Sequence, residues 1–122
     1  FLASILLNFT SITILPVLLF FTSLITALAT GTAWGTMALF IPLAIPMVTS
    51  LSQLTIPAHP HELTLLAPVL GAIFSGAVCG NHISPFADVT IMASQSAGIT
   101  PFVHFYTQLP YAVPAIIASA IG

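Results

Sequence analysis

The 122 residues contain no Lys or Arg and only two acidic side chains, and 58% of them are hydrophobic while 2% are charged. A soluble globular domain carries about 25% charged residues, so the composition excludes the ordinary soluble classes and predicts a membrane-embedded chain. A complete membrane protein without one basic residue is unusual, and we therefore expect the sequence to be part of a longer chain.

The first predicted element is a hairpin over residues 12–49 with a polar tip at 30–36. A helix over residues 12–29 would cover about 27 Å, close to the thickness of a bilayer core. The tip holds two glycines and three threonines, which favour turns and side-chain-to-backbone hydrogen bonds. The apolar run at 37–48 would cover only about 18 Å, and its two prolines would kink it. These lengths predict a re-entrant hairpin.

Polar residues and prolines in 50–62 predict an extramembrane loop, which contains the cluster His59-Pro60-His61-Glu62. Histidine and glutamate both ligate zinc. The two histidines lack the i, i+4 spacing of a zincin pair, however, so the sequence favours a solvated connector over a metal site.

The segment 63–97 is apolar but is interrupted at 80–86 by polar residues between a glycine and a proline. We predict one discontinuous spanning helix here, with small residues before the interruption that let helices approach closely in lipid. A last transmembrane helix is expected at 102–121. Two interrupted apolar segments in one chain are a sequence feature typical of a transporter binding site.

Asp88 is the one carboxylate predicted at membrane depth, and an ionisable residue there indicates a functional site. No basic residue in the chain can neutralise it, so a cation from solution is a natural partner. A cation and a proton would compete for this one carboxylate, and such competition combined with alternating access would give exchange. In the alternative, Asp88 caps the short helix that begins near Ala87, where its charge meets the positive helix end. The two roles can coexist.

The interruptions also supply oxygen atoms, which hard cations prefer as ligands. The candidate ion-binding residues are Asp88, Ser84, Asn81, Thr32, Gly31, Thr30 and Thr90. His82 is a candidate proton relay because imidazole titrates near neutral pH, although it could equally hydrogen-bond the broken backbone. Cys79 lies three residues before His82, but no third group is present to orient such a pair, so no enzyme activity is predicted.

Three segments resemble successive signatures of the NhaC-type sodium/proton antiporter family: TGTAWGTM at 30–37, GNHISPFAD at 80–88 and HFYTQLPYA at 104–112. Family members are much longer, so the chain resembles their C-terminal portion. The resemblance implies an all-α membrane fold, one half of an inverted-repeat ion transporter in which a re-entrant hairpin and a broken helix meet. The family has an aspartate at the position of Asn81, which can offer a carbonyl oxygen but cannot carry a proton near neutral pH.

The resemblance and the segment pattern together predict secondary active transport that exchanges Na⁺ for H⁺. The alternative is an organic acid antiporter of the malate or lactate type, in which helix N-termini at Thr36 and Ala87 attract the carboxylate. A non-transport scaffold or intramembrane enzyme ranks last. We expect no cofactor beyond the transported ions and a multi-pass location in a bacterial inner membrane. The expected partners are membrane lipid and the missing N-terminal repeat of the same chain, with a homodimer as a further option and no nucleic acid.

Overall fold

The computed structural model describes residues 14–55 and 61–121, and all regular secondary structure in these ranges is α-helical. The prediction of an all-α protein is therefore confirmed. The helices, in chain order, are α1 Leu15–Thr30, α2 Ala33–Thr55, α3 His61–Ile83, α4 Asp88–Ala97 and α5 Pro101–Ile121.

Helix α3 is the centre of the arrangement. It packs along α1 over its most extensive contact and against α2 on a second side, and α5 contacts both α3 and α4. Two clusters of buried apolar side chains join the first three helices. One consists of Leu15, Leu19, Ala44, Val48, Val69 and Ile73, and the other of Ala27, Ala33, Met37 and Ala77.

Small residues form the seam between α1 and α3. Gly76 and Gly80 stand one helical turn apart on α3, and a Cβ atom on either would overlap a backbone carbonyl oxygen of α1, that of Phe20 or of Leu24. Ala27 on α1 and Ala77 on α3 have no exposed surface. Close backbone approach of this kind is how helices associate in lipid, where burial of apolar surface gives no driving force.

Helix α2 is longer than the short second leg predicted for the hairpin. Its 23 residues cover about 34 Å, and Pro42 and Pro46 lie inside it. A proline removes one backbone donor and clashes with one preceding carbonyl, which a helix packed against neighbours can tolerate. The length argument for a re-entrant path therefore does not hold, and part of the predicted loop at 50–62 is helical. The cluster at 59–62 falls partly on residues 56–60, outside the described ranges.

Both interruptions are shorter than predicted. The first break, residues 31–32, is brief because the Thr32 hydroxyl accepts a hydrogen bond from the Gly35 amide at 3.3 Å and so caps α2. The second break, residues 84–87, begins later than predicted because Gly80 continues α3 as part of the seam. The predicted tip residues 33–36 and the predicted break residues 80–83 are therefore helical.

Within residues 14–55 and 61–121, two stretches are apolar and long enough to cross a membrane, Ala33–Ser50 and Leu66–Ala97. The second of these contains the second break and therefore consists of two helical parts, one in α3 and one in α4. Helix α1 is apolar as well but has only 16 residues.

Candidate functional site

The two breaks are in backbone contact. Gly31 ends α1 with a φ of 69° and its amide donates to the Ala27 carbonyl at 2.8 Å. A Cβ atom at Gly31 would lie 2.8 Å from the Phe86 carbonyl carbon and oxygen and 3.0 Å from the Ala87 amide nitrogen. Only glycine fits here, because the left-handed conformation and the adjacent backbone both disfavour a side chain. The C-terminal end of α1 therefore meets the N-terminal end of α4.

A side-chain hydrogen bond also joins the two breaks. Ser84 has no exposed surface, and its Oγ donates to the Leu28 carbonyl at 2.7 Å. The same oxygen accepts the Phe86 amide at 3.2 Å. Leu28 lies in the last turn of α1, where carbonyls have no partner within the helix. Ser84 thus satisfies an acceptor that the end of α1 leaves open.

Thr90 carries a buried hydroxyl without a hydrogen-bond partner among the described residues. Its side chain is 2% exposed. Other helical threonines, such as Thr26 and Thr36, donate to the carbonyl four residues earlier, at 2.7 and 2.9 Å. Thr90 is the third residue of α4, so the residue four positions earlier, Phe86, lies in the second break before the N-cap of α4. The acceptor of Thr36, by contrast, is the N-cap residue of α2, whose carbonyl is already aligned with the helix. The break therefore removes the usual acceptor of Thr90 and leaves a buried group that a ligand could satisfy.

Asp88 is the first residue of α4, and its side chain is exposed in the described structure. The N-cap of α4 is Ala87, and no side chain makes a capping hydrogen bond there. Asp88 therefore does not cap the helix through a hydrogen bond, although its charge still lies at the positive end of the helix. The chain has no Lys or Arg that could pair with it.

The remaining predicted site residues differ in their surroundings. The Thr30 hydroxyl donates a hydrogen bond to the Thr26 carbonyl at 2.8 Å. Thr32 and His82 are exposed, and Asn81 is half-buried with its backbone carbonyl accepting the Ser84 amide at 3.3 Å. Because the two breaks are in contact, the predicted site residues next to Gly31 and those between Asn81 and Thr90 lie on neighbouring segments.

Sequence reasoning missed two polar features of the described structure. The Leu28 carbonyl is a backbone group, so no residue pattern could have indicated it. Gln108 on α5 has a buried side-chain carbonyl oxygen without a partner in the described structure, and its place in a polar stretch of an apolar helix was the available signal. Among the described residues no group of three or more His, Cys, Asp or Glu could hold a metal ion.

Comparison with known proteins decides the family. The sequence profile of the Na⁺/H⁺ antiporter family matches residues 1–122. The chain belongs to the Na⁺/H⁺ antiporter family. This membership agrees with the resemblance read from the three signatures, at the level of the family rather than of the NhaC type.

Three relatives of this antiporter-family chain were found among curated proteins. An uncharacterized protein of Haemophilus influenzae is 42% identical over 88% of the chain, and the malate-2H⁺/Na⁺-lactate antiporter of Bacillus subtilis is 35% identical over 80%. An uncharacterized Na⁺/H⁺ antiporter of Haemophilus influenzae is 30% identical over 82%. The chain spans only 18–19% of the length of these relatives. No solved structure matches the chain.

Proposed function

We propose that the full-length protein exchanges Na⁺ for H⁺ across a membrane, with a cation site where the two breaks meet. The observation that carries the proposal is the backbone contact of Gly31 with Phe86. It brings the carbonyl end of α1, which carries partial negative charge, beside the start of α4, which carries Asp88. Family membership supports cation antiport in general, and this geometry supports the location.

The proposed ligands are all oxygen atoms. The Asp88 carboxylate supplies the charge, and the unpartnered Thr90 hydroxyl supplies a buried dipole. Backbone carbonyls of Thr30 and Gly31, the Thr32 hydroxyl and the Asn81 amide oxygen can complete the set, because unwound backbone and helix C-termini are recurrent Na⁺ ligands in transporters.

Exchange follows from competition at one carboxylate. A proton on Asp88 removes the charge that holds Na⁺, and bound Na⁺ occupies the oxygen atoms that would accept the proton. If the site changes its access from one side of the membrane to the other only when it holds Na⁺ or H⁺, the movement of one ion inward is coupled to the movement of the other ion outward. His82, exposed in the last turn of α3, is in our proposal the group that passes protons between Asp88 and water.

The test is the change Asp88→Asn in the full-length protein, assayed as Na⁺-driven pH change in membrane vesicles at several pH values. Asparagine keeps the size of the side chain but removes its charge, so exchange should be abolished while the protein still inserts. Wild type should show a Na⁺ affinity that weakens as the pH falls, because protons then occupy the carboxylate.

The matched control is Glu62→Gln, which neutralises the other carboxylate of the chain and should leave exchange intact. Near-normal exchange by a well-expressed Asp88→Asn protein would refute the assignment of the site.

Organic acid antiport is the second candidate function. It is favoured by the identity of 35% to a relative that is named a malate-2H⁺/Na⁺-lactate antiporter. The start of α4 offers backbone amides to a carboxylate, but Asp88 would repel an anion there unless a proton or Na⁺ neutralised it. Counterflow assays separate the two functions. Na⁺-driven pH change without any organic acid supports cation exchange alone, whereas a strict requirement for malate or lactate supports the alternative.

The wider setting is part of the proposal. The chain would form one repeat of an inverted pair in a multi-pass protein of a bacterial inner membrane, with lipid and the other repeat as its neighbours and with assembly as a homodimer. No cofactor beyond the transported ions enters this scheme.

A further inference from the structure

Ser84 bridges segments that lie far apart in sequence. Its Oγ donates to the Leu28 carbonyl, 56 positions earlier in the chain. Ser94 is equally inaccessible to solvent, but its Oγ donates to the carbonyl of Ile91, three residues back in the same helix, at 2.9 Å. The two serines share chemistry and burial, and they differ in that the bond of Ser84 connects the second break to α1.

The hydroxyl of Ser84 both donates and accepts a hydrogen bond. It has one proton, which goes to Leu28, and two lone pairs, of which one accepts the Phe86 amide at 3.2 Å. The oxygen therefore links a carbonyl in the last turn of α1 to an amide in the second break. A group used in this way is better suited to hold backbone segments at a fixed separation than to coordinate an ion.

We infer that Ser84 is a positioning residue whose hydroxyl clamps the two breaks together and thereby fixes the geometry of the cation site. Leu28 comes two residues before Thr30, and Phe86 comes two residues before Asp88. The bond therefore sets the distance between the carbonyl end of α1 and the carboxylate of α4. The clamp itself stands on the hydrogen bonds, whereas its effect on ion affinity rests on the proposed function.

The clamp can be tested without transport. Spin labels are placed at Ala29 and Val89, two exposed positions on either side of the breaks, in full-length protein without other cysteines. Their dipolar coupling is compared between wild type, Ser84→Ala and the matched control Ser94→Ala. We expect Ser84→Ala to weaken and broaden the coupling and Ser94→Ala to leave it as in wild type.

The second measurement is the dependence of exchange on Na⁺ concentration. Loss of a buried hydrogen bond that leaves its acceptor unsatisfied should raise the KM for Na⁺ about tenfold in Ser84→Ala, with kcat changed much less. Ser84→Cys keeps a weaker donor of similar size and should fall between wild type and alanine. If the alanine variant does not accumulate in the membrane, Ser84→Cys replaces it in the exchange measurement, and Ser84→Gly, which adds no thiol that the label could modify, replaces it in the spin-label measurement.

The outcomes are separable. Unchanged coupling in Ser84→Ala, or an equal loss in Ser94→Ala, overturns the clamp. Weakened coupling with a wild-type KM for Na⁺ overturns its role in ion affinity. Failure of the proposed function appears differently, as a wild-type protein without Na⁺-driven proton movement, and in that case the spin labels still decide whether Ser84 holds the breaks together.

Discussion

At the scale of single residues, the broken helix creates unmatched polar groups and leaves them buried. The Thr90 hydroxyl loses its acceptor because α4 begins two residues before it, and the Leu28 carbonyl loses its donor because α1 ends two residues after it. Ser84 satisfies the carbonyl, but no described residue satisfies the hydroxyl. An unsatisfied buried hydroxyl costs about 1–3 kcal/mol, and a cation bound at the proposed site would remove that cost.

The change Thr90→Val tests this interpretation, because valine has nearly the same shape without the hydroxyl. In the absence of Na⁺ we expect thermal stability in detergent to be unchanged or higher, since a buried unsatisfied group is removed. The stabilisation produced by added Na⁺ should shrink, because one ligand is lost.

Thr90→Ser, which keeps the hydroxyl, should retain that stabilisation. Thr26→Val, which removes a hydroxyl bonded within α1, should retain the Na⁺ effect as well. A full Na⁺ effect in Thr90→Val would exclude the hydroxyl as a ligand.

At the scale of elements, glycines decide how closely the helices and breaks approach each other. Gly31 and Gly98 share nearly the same left-handed φ, 69° and 68°, but differ in their surroundings. The backbone of Phe86 lies against Gly31, whereas nothing lies within 4 Å of a Cβ at Gly98. Substitution at Gly98 therefore measures the cost of a left-handed side chain alone, whereas substitution at Gly31 adds the cost of its overlap with the Phe86 backbone.

We expect Gly98→Ala to destabilise the protein by about 1 kcal/mol, the usual cost of a left-handed alanine. Gly31→Ala should cost clearly more and should also impair exchange, because the second break must move away. The measurements are thermal unfolding in detergent and Na⁺-driven pH change in vesicles. Equal effects at the two positions would show that the contact between the breaks does not matter.

The seam between α1 and α3 offers a second matched pair of glycines. Gly71 lies inside α3 with nothing within 4 Å of a Cβ, whereas a Cβ at Gly80 would overlap the Leu24 carbonyl oxygen. Gly71→Ala should stabilise the protein by about 0.5–1 kcal/mol through helix propensity. Gly80→Ala should instead lower the unfolding temperature by forcing the helices apart, and a stabilising effect there would contradict the seam.

At the scale of the whole molecule, the chain is an apolar membrane segment without Lys or Arg, and its two breaks are in contact. The cluster of His59, His61 and Glu62 lies apart from that region in sequence, and its last two residues begin α3. We predict that replacing all three with alanine leaves exchange by the full-length protein within about twofold of wild type, a change of less than 0.5 kcal/mol. Metal analysis of the purified protein provides the second measurement, and a large loss of activity or of bound zinc would overturn the connector interpretation.

The sequence alone determined the class of protein and the region of interest. Charge depletion and long apolar runs require a lipid environment, because such a chain has too few charged groups for a soluble surface. Glycine, proline and polar residues within those runs indicated the two interruptions, and the three signatures indicated the antiporter family. These features are local, so composition and order are enough to show them.

Tertiary structure decided where the interruptions begin and end and what they touch. Gly80 reads as a helix breaker in isolation but continues α3, because its missing side chain allows contact with α1. The prolines of α2 read as the end of a short leg but lie within a helix of 23 residues. The bond from Ser84 to Leu28 joins a side chain to a backbone carbonyl 56 positions away. Backbone groups are the same in every residue, so their partners depend on how the helices pack and not on any pattern in the sequence.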